Sequence, residues 1–155
     1  HVGGAGAVAE ATGAYAHVHP DDDFLTDAPE EQLRRLFGMV PPGDYRPPTE
    51  RVHLAHGQRH TLAGITFEVV HTPGHTPGHC CFLVEEEGIL FSGDQLFAGS
   101  IGRTDLPGGD LGALAESMRG RVMTLPDETR VLPGHGPETT IGQERRTNPF
   151  RHLWS

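Results

Sequence analysis

Side chains that could bind a metal ion occur at four places in the chain. His1 opens the sequence, and the segments 72-TPGHTPGH-79, 92-SGDQLF-97 and 132-LPGHGP-137 each follow a hydrophobic run. Each segment carries a histidine or an aspartate in a turn that is rich in glycine or proline. Neutral imidazole and carboxylate are the ligands that Zn²⁺ and Fe²⁺ sites use. The pattern therefore predicts a metal site at one edge of a sheet, where several strands end.

The predicted ligands are His1, His75, Asp94 and His135. Glycines beside these histidines allow tight turns from which an imidazole can project. Taken alone, His75 could equally be a surface histidine, and Asp94 could cap a helix. Their combination favours a metal site, because a carboxylate can bridge two cations. His79 shares the loop with His75 and is interpreted as a supporting or structural residue. The other histidines are interpreted as solvent-exposed or packing residues: His17, His19, His53, His56, His60, His71 and His152.

Hydrophobic patterning and helix-end signals predict the elements that position these residues. The predicted helices cover residues 5–12, 29–37, 111–123 (with Asp110 as the cap) and 141–146. The predicted strands cover residues 15–19, 51–55, 61–62, 65–71, 80–85, 89–92 and 130–132. The acidic stretch 20–28 and the proline-rich stretch 38–50 are predicted to be loops. With 21 Gly, 13 Pro and 35% hydrophobic residues, the composition favours a loop-rich fold over a helical bundle.

Size, charge and cysteine content indicate which classes of protein and which partners the sequence favours. The 155 residues suffice for one domain with a core, and the net charge of −9 argues against nucleic acid or an anionic membrane as partner. No apolar run is long enough to span a membrane. Cys80 and Cys81 are adjacent, so in a strand their side chains point to opposite faces and a disulfide between them is not expected. They are predicted to be reduced thiols of a cytoplasmic protein.

Several segments together resemble the metallo-β-lactamase superfamily, in its glyoxalase II-like branch of hydroxyacylglutathione hydrolases. They are HVGGAGAV, TPGHTPGH, the GDxLF pattern, GSIGRTDLPGGD, LPGHGP and TTIGQERRTNPF. The resemblance covers nearly the whole chain and implies an α/β fold, the αββα sandwich, with residues 1–155 in a single domain. In that family, a HxHxD segment leads directly into the histidine that corresponds to His1. The chain is therefore expected to be the carboxyl-terminal two thirds of a domain that lacks its amino-terminal part.

The resemblance also implies a role for each predicted ligand. His75 is expected to bind one metal ion, Asp94 to bridge two, and His1 with His135 to bind the second. The expected ions are two Zn²⁺, with Fe or Mn as alternatives in one or both sites. In the implied reaction, a hydroxide held between the metal ions attacks a thioester carbonyl. Asp94 is the expected catalytic residue, because it holds the cation pair and with it the hydroxide.

The expected substrate is a small thioester, with a glutathione conjugate as one form. The chain has no Lys, so basic groups for glutathione would have to be Arg, and Arg103 is one candidate. The favoured interpretation of Arg103 is a loop-stabilising pair with Asp105. One alternative function is that of a persulfide dioxygenase with mononuclear iron. Another is an inactive fragment or relative that lacks the HxHxD ligands, whereas the acidic charge disfavours a nuclease.

Overall fold

The computed structural model describes residues 3–155, which divide after Leu54 into two compact units. The described part of the first unit holds three short helices and one pair of parallel strands. The helices are α1 (Ala5–Thr12), α2 (Asp23–Asp27) and α3 (Pro29–Phe37), and the strands are β1 (Ala16–Val18) and β2 (Arg51–His53). α1 and α3 have the predicted bounds and end before Gly13 and Gly38, whose φ angles of 71° and 74° only glycine adopts without strain.

The prediction of a loop over residues 20–28 was wrong. A 3₁₀ turn over Pro20–Asp22 leads directly into α2. The Nδ1 atom of His19 accepts a hydrogen bond from the Asp21 amide at 3.3 Å and so caps this turn. Pro20 lies at the first helical position, and the acidic side chains follow in the first turn, where they favour a helix start.

The second unit is built on a six-stranded sheet with the strand order β10-β9-β6-β5-β4-β3. A separate antiparallel pair, β7–β8, follows β6 in the chain. The strands are β3 (Arg59–Leu62), β4 (Ile65–His71), β5 (Cys80–Val84), β6 (Ile89–Gly93), β7 (Leu96–Phe97), β8 (Ser100–Ile101), β9 (Arg130–Pro133) and β10 (Thr139–Thr140). The two-residue strands β7, β8 and β10 were not predicted.

Three strands of this sheet run in the same direction. β5 is antiparallel to both β4 and β6, so β4 and β6 point the same way. β9 pairs with β6 in parallel and shares that direction. The carboxyl ends of β4, β6 and β9 therefore lie at one edge of the sheet, which is the arrangement that the sequence predicted for its metal site.

Helices cover the core face of the sheet in this unit. They are α4 (Leu111–Ser117), which continues as a π-helical turn over Met118–Val122, and α5 (Ile141–Thr147). The Asp110 carboxylate caps α4, as predicted, by accepting the Ala113 amide at 2.9 Å. The core is a cluster of buried side chains from the sheet and the helices, among them Val70, Cys81, Leu90, Leu114, Met118, Val131 and Ile141. Among residues 3–155, no helix is both long and apolar enough to cross a membrane.

Candidate metal centre

The loops that leave the three codirectional strands carry three of the four predicted ligands. His75 lies in the loop between β4 and β5, Asp94 follows the last residue of β6, and His135 comes two residues after β9. His1 lies outside the described residues, so its predicted role stays a prediction.

The side chains of His75 and His135 both face one oxygen of Asp94. The distance from Asp94 Oδ2 is 3.5 Å to His75 Nε2 and 3.6 Å to His135 Nε2. The side chains of His75 and Asp94 are only 13% and 12% exposed, whereas that of His135 is 65% exposed. The structure thus brings the three residues together, with the open side of the cluster at His135.

A backbone carbonyl orients the imidazole of His75. Its Nδ1 atom lies 2.7 Å from the carbonyl oxygen of Arg103. A carbonyl can only accept, so Nδ1 carries the hydrogen, and in the neutral imidazole Nε2 has its lone pair directed at Asp94. This is the arrangement by which proteins prepare a histidine for a metal ion, with one nitrogen held by the backbone and the other available.

Two glycines allow other segments to approach Asp94 closely. A Cβ atom at Gly134 would lie 2.5 Å from Asp94 Oδ1, and one at Gly102 would overlap the Asp94 carbonyl oxygen. The Gly134 amide also donates to the carbonyl of Gly93 at 2.8 Å, which fixes the loop of His135 against the end of β6. The glycine that precedes His135 in LPGHGP is therefore required by the contact with Asp94.

His79, which the sequence predicted to be a supporting or structural residue, contacts the backbone of Asp94 and the side chain of Thr72. The amide of Asp94 donates to His79 Nε2 at 3.1 Å, and His79 Nδ1 lies 2.9 Å from the hydroxyl of Thr72. That hydroxyl in turn lies 3.3 Å from the thiol of Cys81, which is fully buried. Neither Thr72, although it opens the segment TPGHTPGH, nor Cys81 was predicted from the sequence to have a role at the site.

Arg103 forms the predicted pair with Asp105. Its guanidinium donates to both carboxylate oxygens, at 2.7 Å and 2.6 Å. This hydrogen bonding lowers the pKa of Asp105 to about 2 and raises the pKa of Arg103. The pair lies in the loop whose backbone carbonyl contacts His75.

Other histidines make local contacts. His53 pairs with Asp23 at 2.9 Å, His71 contacts the carbonyl oxygen of Pro77 at 2.9 Å, and His152 contacts that of Pro149 at 3.3 Å. These contacts agree with the packing or surface roles predicted for the three residues.

The geometry of His75, Asp94 and His135 fits a metal ion. Nε2 of His75 and Oδ2 of Asp94 are two acceptor atoms that face each other at a distance too long for a hydrogen bond. Around tetrahedral zinc, with bonds of about 2.0–2.1 Å, two ligand atoms lie roughly 3.3–3.4 Å apart. The observed separations of 3.5 and 3.6 Å are close to that spacing. The roles of the three residues as ligands stay predictions.

Comparison with known proteins identifies the family. The family model of the metallo-β-lactamase superfamily matches residues 1–135. Hydroxyacylglutathione hydrolase GloC of Haemophilus influenzae is 44% identical over 129 residues, which cover 83% of this chain and 59% of that protein. This chain thus spans less than two thirds of the length of that relative.

Solved structures agree with this assignment. The crystal structure of TTHA1623 in a di-iron-bound form matches with a TM-score of 0.85 and 46% identity, over 97% of this chain and 71% of that chain. The structure of ETHE1 from Myxococcus xanthus matches with a TM-score of 0.62 and 30% identity, over 92% of this chain and 65% of that chain. The expected α/β fold is confirmed, and the chain belongs to the metallo-β-lactamase superfamily of metal-dependent hydrolases.

Proposed function

We propose that the protein is a metal-dependent hydrolase of a small thioester, of the glyoxalase II type. The observation that carries the proposal is the placement of His75 and His135 about one oxygen of Asp94. The likeness to a hydroxyacylglutathione hydrolase supports the choice of a thioester as the substrate.

Each residue of the cluster has a distinct part in this reaction. Cations held by these residues would supply an activated water molecule and a positive charge to polarise the thioester carbonyl. Asp94 would hold the cations through its carboxylate, and its backbone amide donates to His79 Nε2 at 3.1 Å. His75 is a rigid ligand because the Arg103 carbonyl fixes its ring. His135 is the most exposed of the three and would complete the set of ligands about Asp94. A thiolate leaves readily, so no protein acid is required for its departure.

In this proposal the protein recognises the acyl thioester group of the substrate and not the glutathione moiety. The Arg103 guanidinium is already paired with both oxygens of Asp105. A glutathione carboxylate would have to displace Asp105 before it could pair with Arg103. We therefore expect the protein to cleave small thioesters with and without glutathione.

The test is hydrolysis of S-lactoylglutathione and of a small thioester that lacks glutathione, followed through the thiol released. Purified protein loaded with Zn²⁺ is expected to cleave both, and a chelator is expected to abolish cleavage. Asp94→Asn keeps the shape of the side chain but removes the negative charge that holds the cations. We expect it to reduce kcat by at least 10²-fold, which corresponds to about 2.7 kcal/mol of transition-state stabilisation.

Asp127→Asn is the matched control. Asp127 is an exposed aspartate that pairs with Arg145 and, at 3.3 Å, with Arg146, and its substitution is expected to leave thioester hydrolysis unchanged. Metal-loaded protein that cleaves neither thioester would rule out the proposal. So would an Asp94→Asn variant with the full activity of the wild-type protein.

A persulfide dioxygenase is the second candidate, and one observation favours it. The described cluster has two histidines and one carboxylate, which is the ligand set of mononuclear non-haem iron oxygenases. Oxygen consumption by the iron-loaded protein with glutathione persulfide, without cleavage of any thioester, would favour this function. Protein that binds metal but performs neither reaction would favour an inactive relative.

A further inference from the structure

A hydrogen-bonded chain behind the candidate metal centre joins two of its loops. Thr72 and His79 are the first and last residues of the loop that carries His75, and the Thr72 amide donates to the His79 carbonyl at 2.8 Å. The His79 imidazole projects from the base of this loop, and its Nε2 atom accepts a hydrogen bond from the Asp94 amide at 3.1 Å. One side chain therefore connects the base of the His75 loop to the backbone of Asp94.

The hydrogen positions in this chain follow from the donors and acceptors. The Asp94 amide can only donate, so His79 Nε2 is an acceptor without a hydrogen. In the neutral ring the hydrogen is then on Nδ1, which donates to the Thr72 hydroxyl at 2.9 Å. That hydroxyl can donate to the Cys81 sulfur at 3.3 Å, and the thiol contacts the Ser92 carbonyl oxygen at 3.5 Å. All the hydrogen bonds of this series can therefore run in the same direction, from the Asp94 amide to the Ser92 carbonyl oxygen.

The surroundings hold the His79 ring in this orientation. Thr72 and Cys81 are both fully buried, so the hydroxyl that fixes Nδ1 has little freedom to move. Gly93 has a φ of 51°, and a Cβ atom there would lie 2.8 Å from His79 Nε2. The residue before Asp94 is therefore a glycine at a position where a side chain would push the imidazole away.

We infer that His79 is a positioning residue that sets the spacing between His75 and Asp94, acting through the neutral imidazole that Thr72 orients. His79 does not contact the substrate. Its effect is to keep the carboxylate of Asp94 at the distance from His75 at which both can bind one cation. This inference rests on the proposed role of Asp94 as a metal ligand, but it does not depend on which substrate is cleaved.

The first test measures Zn²⁺ affinity by competition with a chromophoric chelator. His79→Leu removes the acceptor for the Asp94 amide and is expected to weaken Zn²⁺ binding by about 10- to 100-fold, as is usual when a residue that orients a metal ligand is lost. His79→Gln places an amide oxygen near the position of Nε2, so it is expected to recover part of the affinity. His152→Leu, at an exposed histidine outside the chain of contacts, is the control and should bind Zn²⁺ as the wild-type protein does.

Thr72 offers a second pair of variants that changes the protein less. Thr72→Val keeps the shape of the side chain but removes the hydroxyl that orients His79, and it is expected to weaken Zn²⁺ binding by about tenfold. Thr72→Ser keeps the hydroxyl and should restore the affinity. If His79→Leu does not fold, this pair decides the question by itself.

The inference can also be tested without metal, because NMR shows which nitrogen of the His79 imidazole carries the hydrogen. In the metal-free protein, two-bond ¹⁵N–¹H spectra are expected to show His79 with a hydrogen on Nδ1 and none on Nε2. In Thr72→Val this preference should weaken, because Nδ1 loses the hydroxyl acceptor. A His79 ring with its hydrogen on Nε2 in the wild-type protein would overturn the inference.

The outcomes separate this inference from the proposed function. Equal Zn²⁺ affinity of His79→Leu, Thr72→Val and the wild-type protein overturns the role of His79, even if thioesters are cleaved. Weakened binding in these variants supports that role, even if the wild-type protein cleaves no thioester and the proposed function fails.

Discussion

Cys81 is a fully buried thiol on the core face of β5, one residue from a thiol on the opposite face. Burial raises the pKa of Cys81 to about 12, although the hydrogen bond with Thr72 acts in the opposite direction. Only the thiolate is nucleophilic, so this residue is inert at neutral pH. Cys81 therefore has a structural role and is not a nucleophile at neutral pH.

The protection of Cys81 can be tested with iodoacetamide at pH 8. Relative to an ordinary thiol with a pKa of 9.0, its thiolate fraction is about a thousandfold lower. In the Cys80→Ala variant, where Cys81 is the remaining thiol, mass spectrometry is expected to find no label under native conditions and one label in denaturant. Rapid labelling of the native variant would contradict the burial of Cys81.

The same pKa predicts how stability depends on pH. The folded-state value lies above the ordinary 9.0, so the contribution of Cys81 is complete below pH 9 and is lost as the pH rises towards 12. Cys81→Ala removes this titration. The variant should therefore lose less stability than the wild-type protein between pH 9 and 11 in denaturant titrations.

Residue types alone predicted part of the site. His75, Asp94 and His135 stood out because each follows a hydrophobic run and borders a glycine. The contacts that orient these three side chains could not be predicted from the residue types. The Arg103 carbonyl holds His75 through a backbone atom, which any residue type would provide. The Thr72 hydroxyl reaches His79 only because the loop closes on itself, which is a property of the fold and not of the local sequence.

Among the elements of the second unit, α5 is anchored by a buried carboxylate. Glu144 is only 1% exposed and accepts three hydrogen bonds. They come from the Gly99 amide at 2.9 Å, the Thr139 hydroxyl at 2.6 Å and the Asn148 amide group at 2.7 Å. Glu144 thereby connects α5 to the turn between β7 and β8, the strand pair whose Phe97 ring lies 6.1 Å from that of His135.

Removal of this carboxylate is expected to destabilise the protein. Glu144→Ala leaves three donors without their acceptor, and a loss of roughly 2–4 kcal/mol in the free energy of unfolding is expected. Glu138→Ala is the matched control, because Glu138 is exposed and pairs with Arg130 at 2.7 Å. An exposed ion pair contributes at most about 1 kcal/mol. Urea titrations that give similar losses for both variants would contradict the anchoring role of Glu144.

Elements with strong local signals were predicted well, and elements made by distant contacts were not. The helices over residues 5–12 and 29–37 have glycines at their ends and were predicted with the bounds that the structure shows. β10 has two residues and exists because it pairs with β9, which its own sequence does not reveal. The helix predicted to end at Met123 widens after Ser117 into a π turn, closed by a hydrogen bond from the Met123 amide to the Met118 carbonyl at 2.8 Å. Both Met118 and Val122 are buried in the core.

For the molecule as a whole, metal binding and stability are linked. A cation bound by the folded protein stabilises it by about 2.7 kcal/mol when its free concentration is a hundred times Kd. Zn²⁺ is therefore expected to raise the midpoint of thermal unfolding, and a chelator to reverse the rise. Asp94→Asn should show no comparable response. An unchanged midpoint with saturating Zn²⁺ in the wild-type protein would argue against a metal site in the folded state.

The parallel pairing of β6 with β9 also has a consequence for the order of folding events. Parallel neighbours cannot be joined by a hairpin, and here the chain passes through β7, β8 and α4 before β9 returns to β6. Contacts between such distant segments carry a large entropic cost of loop closure and form slowly. Asp94 and His135 therefore meet only when β9 has joined the sheet, so the metal ion can bind only a nearly complete fold. Zn²⁺ is expected to slow unfolding while leaving the rate of refolding almost unchanged.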